Sequence, residues 1–388
     1  MSNLRDVLES HVGKGTMPGA VGLLARGDRV EAAAVGTAAA VGTADAGGTA
    51  PMARDSIFRI ASITKPIVAA AVMMLVEDGR ITLDEPVGPW LPELAAPDVV
   101  RTPASPVTDV VPAARPITVE DLLSSRTGYG FPSDFTLPAV RPLSEDVQKD
   151  GRNPQHFAPT REWMARLARI PMLHQPGEAW LYNTSSDLQG VLIARVTGGS
   201  LPDFLAERVF EPLGMTDTAF TVPAAKRDRF TSYYRPAEAG GIELADGPDG
   251  QWSTLPPFPS GAGGLASTAD DWLAFGRMLL AEGTAGGRRL LSAEAVRLMI
   301  TNRLTKAQRD ASPLFLEGQG WGFGGSVDVE AVAPWTVPGR YGWVGGTGTS
   351  AHIVPSTGAV NILLTQIAAT GPVTPDFMRD FWRYAAAR

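Results

Sequence analysis

The stretch Phe58 to Asp78, FRIASITKPIVAAAVMMLVED, decides how the rest of the chain is read. Pro66 has no backbone N–H and fits a helix only within the first turn or so, where such donors lack partners anyway, so the helix must begin close to Ser62. From there Ile63, Ile67, Ala70, Ala71, Met74 and Leu75 recur at helical spacing as a broad apolar face. Gly79 follows at the place a left-handed cap is usually needed. The helix reads as buried. Ser62 on its first turn has its hydroxyl beside free N–H groups and the positive end of the dipole, and Lys65, three residues on, lies on the same face.

A serine hydroxyl is a poor nucleophile until something takes its proton. Burial and the dipole both disfavour an ammonium at Lys65, so its pKa is expected to fall, and a neutral amine can act as general base. A capping serine followed by a snorkelling lysine fits the same residues. Lysine is scarce, however. Only Lys14, Lys65, Lys149, Lys226 and Lys306 occur, and Lys65 alone has a serine three residues before it.

The 388 residues allow one large domain or two of ordinary size, and an apolar content of 44% excludes disorder of the whole. A net charge of −7 offers no basic footprint and argues against a nucleic-acid partner. Cysteine is absent, which removes disulfides, thiolate chemistry and cysteine-based metal sites and fits a reducing compartment. The longest strongly apolar run, Pro66 to Val76, is too short to span a bilayer. The opening MSNLRDVLESHVGKG shows no apolar signal core, so a cytoplasmic chain without a membrane partner is expected. His11, His156, His174 and His352 offer no ligand spacing and there is no His-Glu-x-x-His, so neither metal nor cofactor is expected.

Leu4, Val7, Leu8 and Val12 mark one face of an opening helix, and Ala20–Ala25 with Val30–Val35 read as a hairpin around Arg26-Gly27-Asp28-Arg29. Gly36 to Gly48 reads as a surface loop. The proline-studded segment from Pro89 to Pro116 cannot sustain long helices, and a short capped helix is expected from Thr118. Helices are expected over 160–170, 187–196, 203–210 and 292–299, and Ser267-Thr268-Ala269-Asp270-Asp271 is expected to cap another running to about Leu280. Tyr233 to Pro259, rich in Gly, Pro and acidic residues, reads as a long connection or lid. Ser350–Val354 and Val360–Gln366 flank a second hairpin turn, and a last helix begins at Thr374-Pro375. Both termini are therefore expected to build one mostly antiparallel sheet, with the middle inserted. The fold class is α/β (α+β), with residues 1–80 and 178–388 forming an α/β domain and residues 81–177 a smaller helical and loop-rich one.

A serine–lysine site needs a second proton carrier and a pair of donors for an oxyanion. No Gly-x-Ser-x-Gly elbow exists, and His352 on an alternating strand reads as packed or exposed rather than catalytic. Tyr182, within PGEAWLYNTSSD, lies on a turn before a helix and can present a phenol to a cleft; a ring packed under the loop fits equally. One oxyanion donor would be the Ser62 N–H, and the second a strand edge such as Trp343-Val344-Gly345-Gly346-Thr347-Gly348, where adjacent glycines leave backbone accessible. A flexible hairpin lead-in is the alternative. Phe131, Trp180, Trp252, Phe258 and Trp343 are loop aromatics available to line a pocket.

Together the pieces resemble the serine hydrolases with the class C β-lactamase fold, and among them the family VIII carboxylesterases. Ser62-Ile63-Thr64-Lys65 is similar to the family's nucleophile motif, Asp121-Leu122-Leu123-Ser124-Ser125-Arg126-Thr127-Gly128 to its LLxHxSG segment, and Pro176-Gly177-Glu178 through Tyr182 to its approach to the catalytic tyrosine. Pro212-Leu213-Gly214-Met215-Thr216-Asp217-Thr218 and Gly263-Gly264-Leu265-Ala266-Ser267-Thr268-Ala269-Asp270-Asp271 resemble two further landmarks. The resemblance implies a β-lactamase/transpeptidase-like fold, with an antiparallel sheet flanked by helices plus a mostly helical domain. It implies Ser62 as the acylated nucleophile, Lys65 with Tyr182 as the acid–base pair, and Gly346 N–H with Ser62 N–H as the oxyanion hole. Trp343-Val344-Gly345 stands where lactamases and transpeptidases carry Lys-Thr-Gly, which makes Trp343 and Gly345 candidate substrate-binding residues. A tryptophan brings apolar surface and one N–H but no charge, which favours uncharged esters over carboxylate-bearing lactams. Thr184 stands at the asparagine position of the family's Tyr-x-Asn, which removes an amide.

The first functional reading is thus a cytoplasmic serine carboxylesterase acting on small uncharged esters. An acyltransferase using the same acyl-enzyme, a β-lactamase or D-Ala peptidase, and a non-catalytic binding module are the alternatives. The sequence leaves the oligomeric state open.

Overall fold

The computed structural model describes residues 3–14, 17–37, 50–148, 153–238 and 240–388. Most of the loop expected over 36–48 lies outside the described residues.

Seven antiparallel strands form the main sheet. They are β1 (Gly19–Arg26), β2 (Arg29–Gly36), β3 (Gly320–Trp321), β4 (Ser326–Val327), β5 (Tyr341–Gly345), β6 (Thr349–Val354) and β7 (Ala359–Thr365). Their order across the sheet is β3-β4-β5-β6-β7-β1-β2. The two expected hairpins are both present. Arg26 pairs with Arg29 across a turn where Gly27 takes φ +55°. The N-terminal hairpin joins the C-terminal one along β1 and β7, from Ala20↔Thr365 to Arg26↔Ala359. That seam is what the alternating apolar runs at the two ends of the sequence were reporting.

Helices cover both faces of this sheet. On one side α1 (Leu4–Val12) packs with the C-terminal helix Asp376–Ala386, and Leu4, Leu8, Met378, Phe381 and Trp382 bury together against Leu24 and Leu363. On the other side lie α2 (Lys65–Glu77) and α4 (Ala269–Leu280), with α3 (Thr184–Thr197) packed on α2. The C-terminal helix is α5. Residues 81–177 share the same core, since Val119, Leu122 and Trp163 belong to one apolar cluster with Ile67 and Val72.

α2 is entered through a 3-10 turn, Ala61–Thr64, and Pro66 falls in its first turn, as a missing N–H requires. All eleven residues from Lys65 to Leu75 are buried, so the helix is enclosed on every side rather than amphipathic. Gly79 follows with φ +67°.

Two expectations change, and a third segment, rightly expected to lack long helices, carries a strand pair the sequence did not indicate. The helix expected at 187–196 begins at Thr184, directly after Tyr182-Asn183. Within Tyr233–Pro259, expected as a connection, Tyr233–Pro236 and Ile242–Asp246 pair as a short hairpin. Within the proline-rich segment, Asp98–Val100 pairs with Val110–Pro112. No helix among the described residues is long and apolar enough to cross a membrane.

Candidate active site

Ser62 sits on the 3-10 turn that feeds α2, and the residue before it, Ala61, takes φ +45°. A left-handed alanine is disfavoured by contact of its Cβ with the following carbonyl oxygen, by about 1–2 kcal/mol. Neighbouring bonds hold it there: Thr347 Oγ1 donates to the Arg59 carbonyl (2.6 Å) and Thr349 Oγ1 to the Ile60 carbonyl (2.9 Å). The Ser62 turn is thereby fastened to the turn between β5 and β6.

That fastening sets the place of Gly345 and Gly346. A Cβ at Gly345 would lie 2.1 Å from Thr349 Oγ1 and 2.7 Å from the Ile60 carbonyl, so only glycine lets β5 approach the serine turn this closely. A Cβ at Gly346 would meet nothing within 4 Å. Gly346 faces open space beside Ser62, and both line the same cavity.

Lys65 is fully buried, its Nζ 2.8 Å from Ser62 Oγ, 2.9 Å from Asn183 Oδ1 and 2.6 Å from the Ala262 carbonyl. Burial pushes its pKa down, against a smaller upward pull from Tyr182 and Asp187. The Tyr182 hydroxyl lies 2.9 Å from Ser62 Oγ, and Lys65 Nζ stands 4.7 Å from the centre of the Tyr182 ring. The structure therefore brings Ser62, Lys65 and Tyr182 within direct reach of one another, although Tyr182 is 120 residues from Ser62 in the chain.

Trp343 lines the cavity with its indole, and its one N–H is donated to Tyr182 Oη at 2.9 Å. The Tyr-x-Asn reading needs correcting. Thr184 does stand at the third position, yet an amide is still supplied, one residue earlier, by Asn183. With φ +83°, Asn183 turns its side chain onto Lys65.

Behind Lys65 lies a group of residues that the sequence did not single out. Asn183 Nδ2 donates to Gln148 Oε1 (2.9 Å), and Gln148 Nε2 donates to Asp187 Oδ2 (2.8 Å). Asp187 Oδ1 accepts from Ser260 Oγ (2.6 Å) and from the Ala262 N–H (3.1 Å). Burial pushes the Asp187 carboxyl up to about 6, opposed by these donors and by Lys65.

Two cavities open from Ser62. One, of about 300 Å³, runs over Trp343, Val344, Trp335 and Trp382; the other, of about 370 Å³, runs between Phe131, Phe157 and Trp252 over Gln148 and Asn183. They meet at Ser62, Tyr182, Phe315 and Gly346. Of the loop aromatics, Phe131, Trp252 and Trp343 line a lobe, whereas Trp180 and Phe258 are core residues. Phe315, stacked on the Tyr182 ring at 4.6 Å, was not anticipated. His352 lines the first lobe as a buried, neutral ring beside Ser350, its pKa lowered by burial and by Arg340. Arg340 in the same wall is paired with Asp328 at 2.8 Å.

A mixed α/β fold with this antiparallel sheet, and a serine placed on it at the mouth of two cavities, define a serine hydrolase of the β-lactamase/transpeptidase-like architecture. Residues 4–381 match the Beta-lactamase family, and the chain belongs to it. It is 40% identical over 329 residues to Protein Rv1367c of Mycobacterium tuberculosis, covering 81% of this chain and 79% of that one. It is 30% identical over 350 residues to Esterase EstB of Burkholderia gladioli, covering 84% and 81%. Among solved structures, EstCE1, described as a hydrolase with promiscuous acyltransferase activity, superposes with a TM-score of 0.78 at 25% identity, covering 98% of this chain and 96% of that one.

Proposed function

We propose that the protein is a serine carboxylesterase for uncharged esters, with Ser62 as nucleophile and Lys65 with Tyr182 as its acid–base pair. The observation that carries this reading is the placement of one hydroxyl oxygen 2.8 Å from a buried amine and 2.9 Å from a phenol at the junction of two cavities. Ser62 Oγ attacks the ester carbonyl carbon as its proton passes to the pair. The Ser62 and Gly346 N–H groups receive the oxyanion, and the alcohol leaves with a proton from the same pair. Water, deprotonated by the pair, then attacks the acyl carbon and releases the acid and Ser62. Lys65 and Tyr182 act as one coupled unit.

Charge supports an uncharged substrate. Trp343 stands in place of a cation, and Arg340, in the wall of the lobe lined by Trp335, Trp343 and Trp382, is neutralised by Asp328. The two lobes leave room for acyl and alcohol groups beyond the small ones expected from sequence. The name of EstB supports hydrolysis, and the description of EstCE1 supports transfer of the acyl group to an alcohol as a second outcome of the same intermediate. The decisive experiment is labelling with a fluorophosphonate and assay with p-nitrophenyl esters. Ser62→Ala is expected to lose the adduct and at least about 10³-fold in kcat/KM with an unchanged fold. Retained activity would place the nucleophile elsewhere, and ester products formed from added alcohols would favour the transferase.

A further inference from the structure

Of the buried acids that take no part in proton transfer between Ser62, Lys65 and Tyr182, Asp187 is the one tied by hydrogen bonds to the partners of Lys65. Asp187 is enclosed at the start of α3, and the two oxygens around Lys65 other than Ser62 Oγ both trace back to it. One arm runs Asp187–Gln148–Asn183–Lys65 through three hydrogen bonds of 2.8, 2.9 and 2.9 Å. The other runs through the Ala262 peptide segment: its N–H donates to Asp187, and the residue's carbonyl accepts from Lys65. The two arms close a ring.

The direction of this ring matters. A side-chain amide donates at one end and accepts at the other, and either orientation fits the same space. An ionised carboxylate only accepts. Asp187 therefore requires Gln148 to point its NH₂ inward, which leaves Oε1 to receive the Asn183 NH₂, which in turn leaves Asn183 Oδ1 facing Lys65. A neutral amine has two N–H bonds and one lone pair. With Asn183 Oδ1 and the Ala262 carbonyl taking the two N–H bonds, the remaining direction is that of Ser62 Oγ.

Resting on the Ser62/Lys65 reading above, we infer that Asp187 is a positioning residue: through the fixed polarity of the Gln148 and Asn183 amides and the anchored Ala262 segment, it aims the Lys65 lone pair at the Ser62 hydroxyl. Among the described residues, the ionisable groups acting on this cluster are Lys65 from α2 and Tyr182 from the turn before α3. The segments carrying Gln148 and Ser260–Ala262 contribute an amide, a hydroxyl and backbone.

The test uses the full chain with Asp187→Asn and Gln148→Met, p-nitrophenyl butyrate hydrolysis from pH 5 to 10, and the rate of fluorophosphonate labelling. An asparagine at 187 can donate to Gln148, which lets both amides reverse and turns the Asn183 NH₂ toward Lys65; it also removes a negative charge near the amine. Asp187→Asn should lower kcat/KM about 10- to 100-fold and move the acid limb of its pH profile to lower pH. Gln148→Met, which breaks one arm and keeps the charge, should lower kcat and the labelling rate with a smaller displacement of that limb. An Asp187→Asn enzyme within about twofold of the wild type at every pH overturns the inference. So does a loss of activity with an unmoved acid limb and a lowered melting temperature, the mark of a structural role alone. Should Asp187→Asn fail to fold, Gln148→Met decides, and an unchanged labelling rate there overturns the inference. A wild-type protein unlabelled at Ser62 would sink the proposed nucleophile instead, whereas labelling at Ser62 with unmoved variants sinks only the role of Asp187.

Discussion

Trp343 presents its indole to the cavity and its N–H to Tyr182, so one side chain both gives the cavity an uncharged, apolar wall and bonds the phenol oxygen beside Ser62. Trp343→Phe keeps the apolar wall and removes that donor. Under the proposed mechanism the phenol oxygen gains charge, and a hydrogen bond to a charged group is worth about 1.5–3 kcal/mol, so kcat/KM should fall roughly 10-fold or more with little change in stability, as steady-state rates and thermal melts would show. Asp187 makes the opposite trade. Its carboxyl is held near 6, above the range of an unfolded chain, so the folded state binds the proton more tightly between about pH 4 and 6. The associated stability is present below pH 4 and is lost as the pH rises through 6, leaving the ionised group a cost on the order of 2–3 kcal/mol at neutral pH. The stability advantage of Asp187→Asn over wild type should therefore grow from pH 4 to 7 in denaturant titrations while activity drops. Ser62 and Lys65 were legible because they share one helical turn. Asn183, Gln148 and Asp187 were not, because their meaning lies in amide directions set by contacts 35 to 118 residues apart. Asn183 was hidden further by its left-handed backbone, which moves the expected amide one residue along the chain.

At the scale of elements, the decisive contact is β5 against the serine turn. Gly345→Ala would drive a methyl group into Thr349 Oγ1 and the Ile60 carbonyl, neither of which is a free-ended flexible chain. Overpacking of this kind typically costs about 1–3 kcal/mol, and here it would also part Gly346 from Ser62. The variant should melt lower and lose acylation rate, whereas Gly346→Ala, with open space before it, should melt as wild type. α2 was readable because Pro66, a continuous apolar run and Gly79 agree about its start, burial and end. The Tyr233–Asp246 hairpin was not, since its glycine, proline and acidic content is what a loop also shows. Its packing comes from Arg59, which reaches from the strand before Ser62 to Asp246 at 2.5 Å and lies 4.1 Å from the Phe230 ring centre, a pairing no local pattern encodes.

The whole molecule is closed by the β1–β7 seam, a pairing of residues more than 300 apart. Contacts of such separation are late and entropically costly to form, so the sheet depends on the last segment of the chain. A protein ending at Gly358 lacks β7 and α5, leaving Leu4, Leu8 and Val21 without their apolar cover. It should show no cooperative melting transition and no fluorophosphonate adduct, while the full chain shows both. The antiparallel sheet built from both termini was legible from the two hairpins; the order of the middle elements was not, because nothing local fixes which surface an inserted helix covers. The seam also times the chemistry. While the ribosome is still adding residues beyond 300, the nascent polypeptide already carries its serine, lysine and tyrosine but not the strand that brings Trp343 and Gly346 to them. In a serine hydrolase built this way, the groups around Ser62 can meet only after the strands from Tyr341 to Thr365 have been made and paired with the first hairpin.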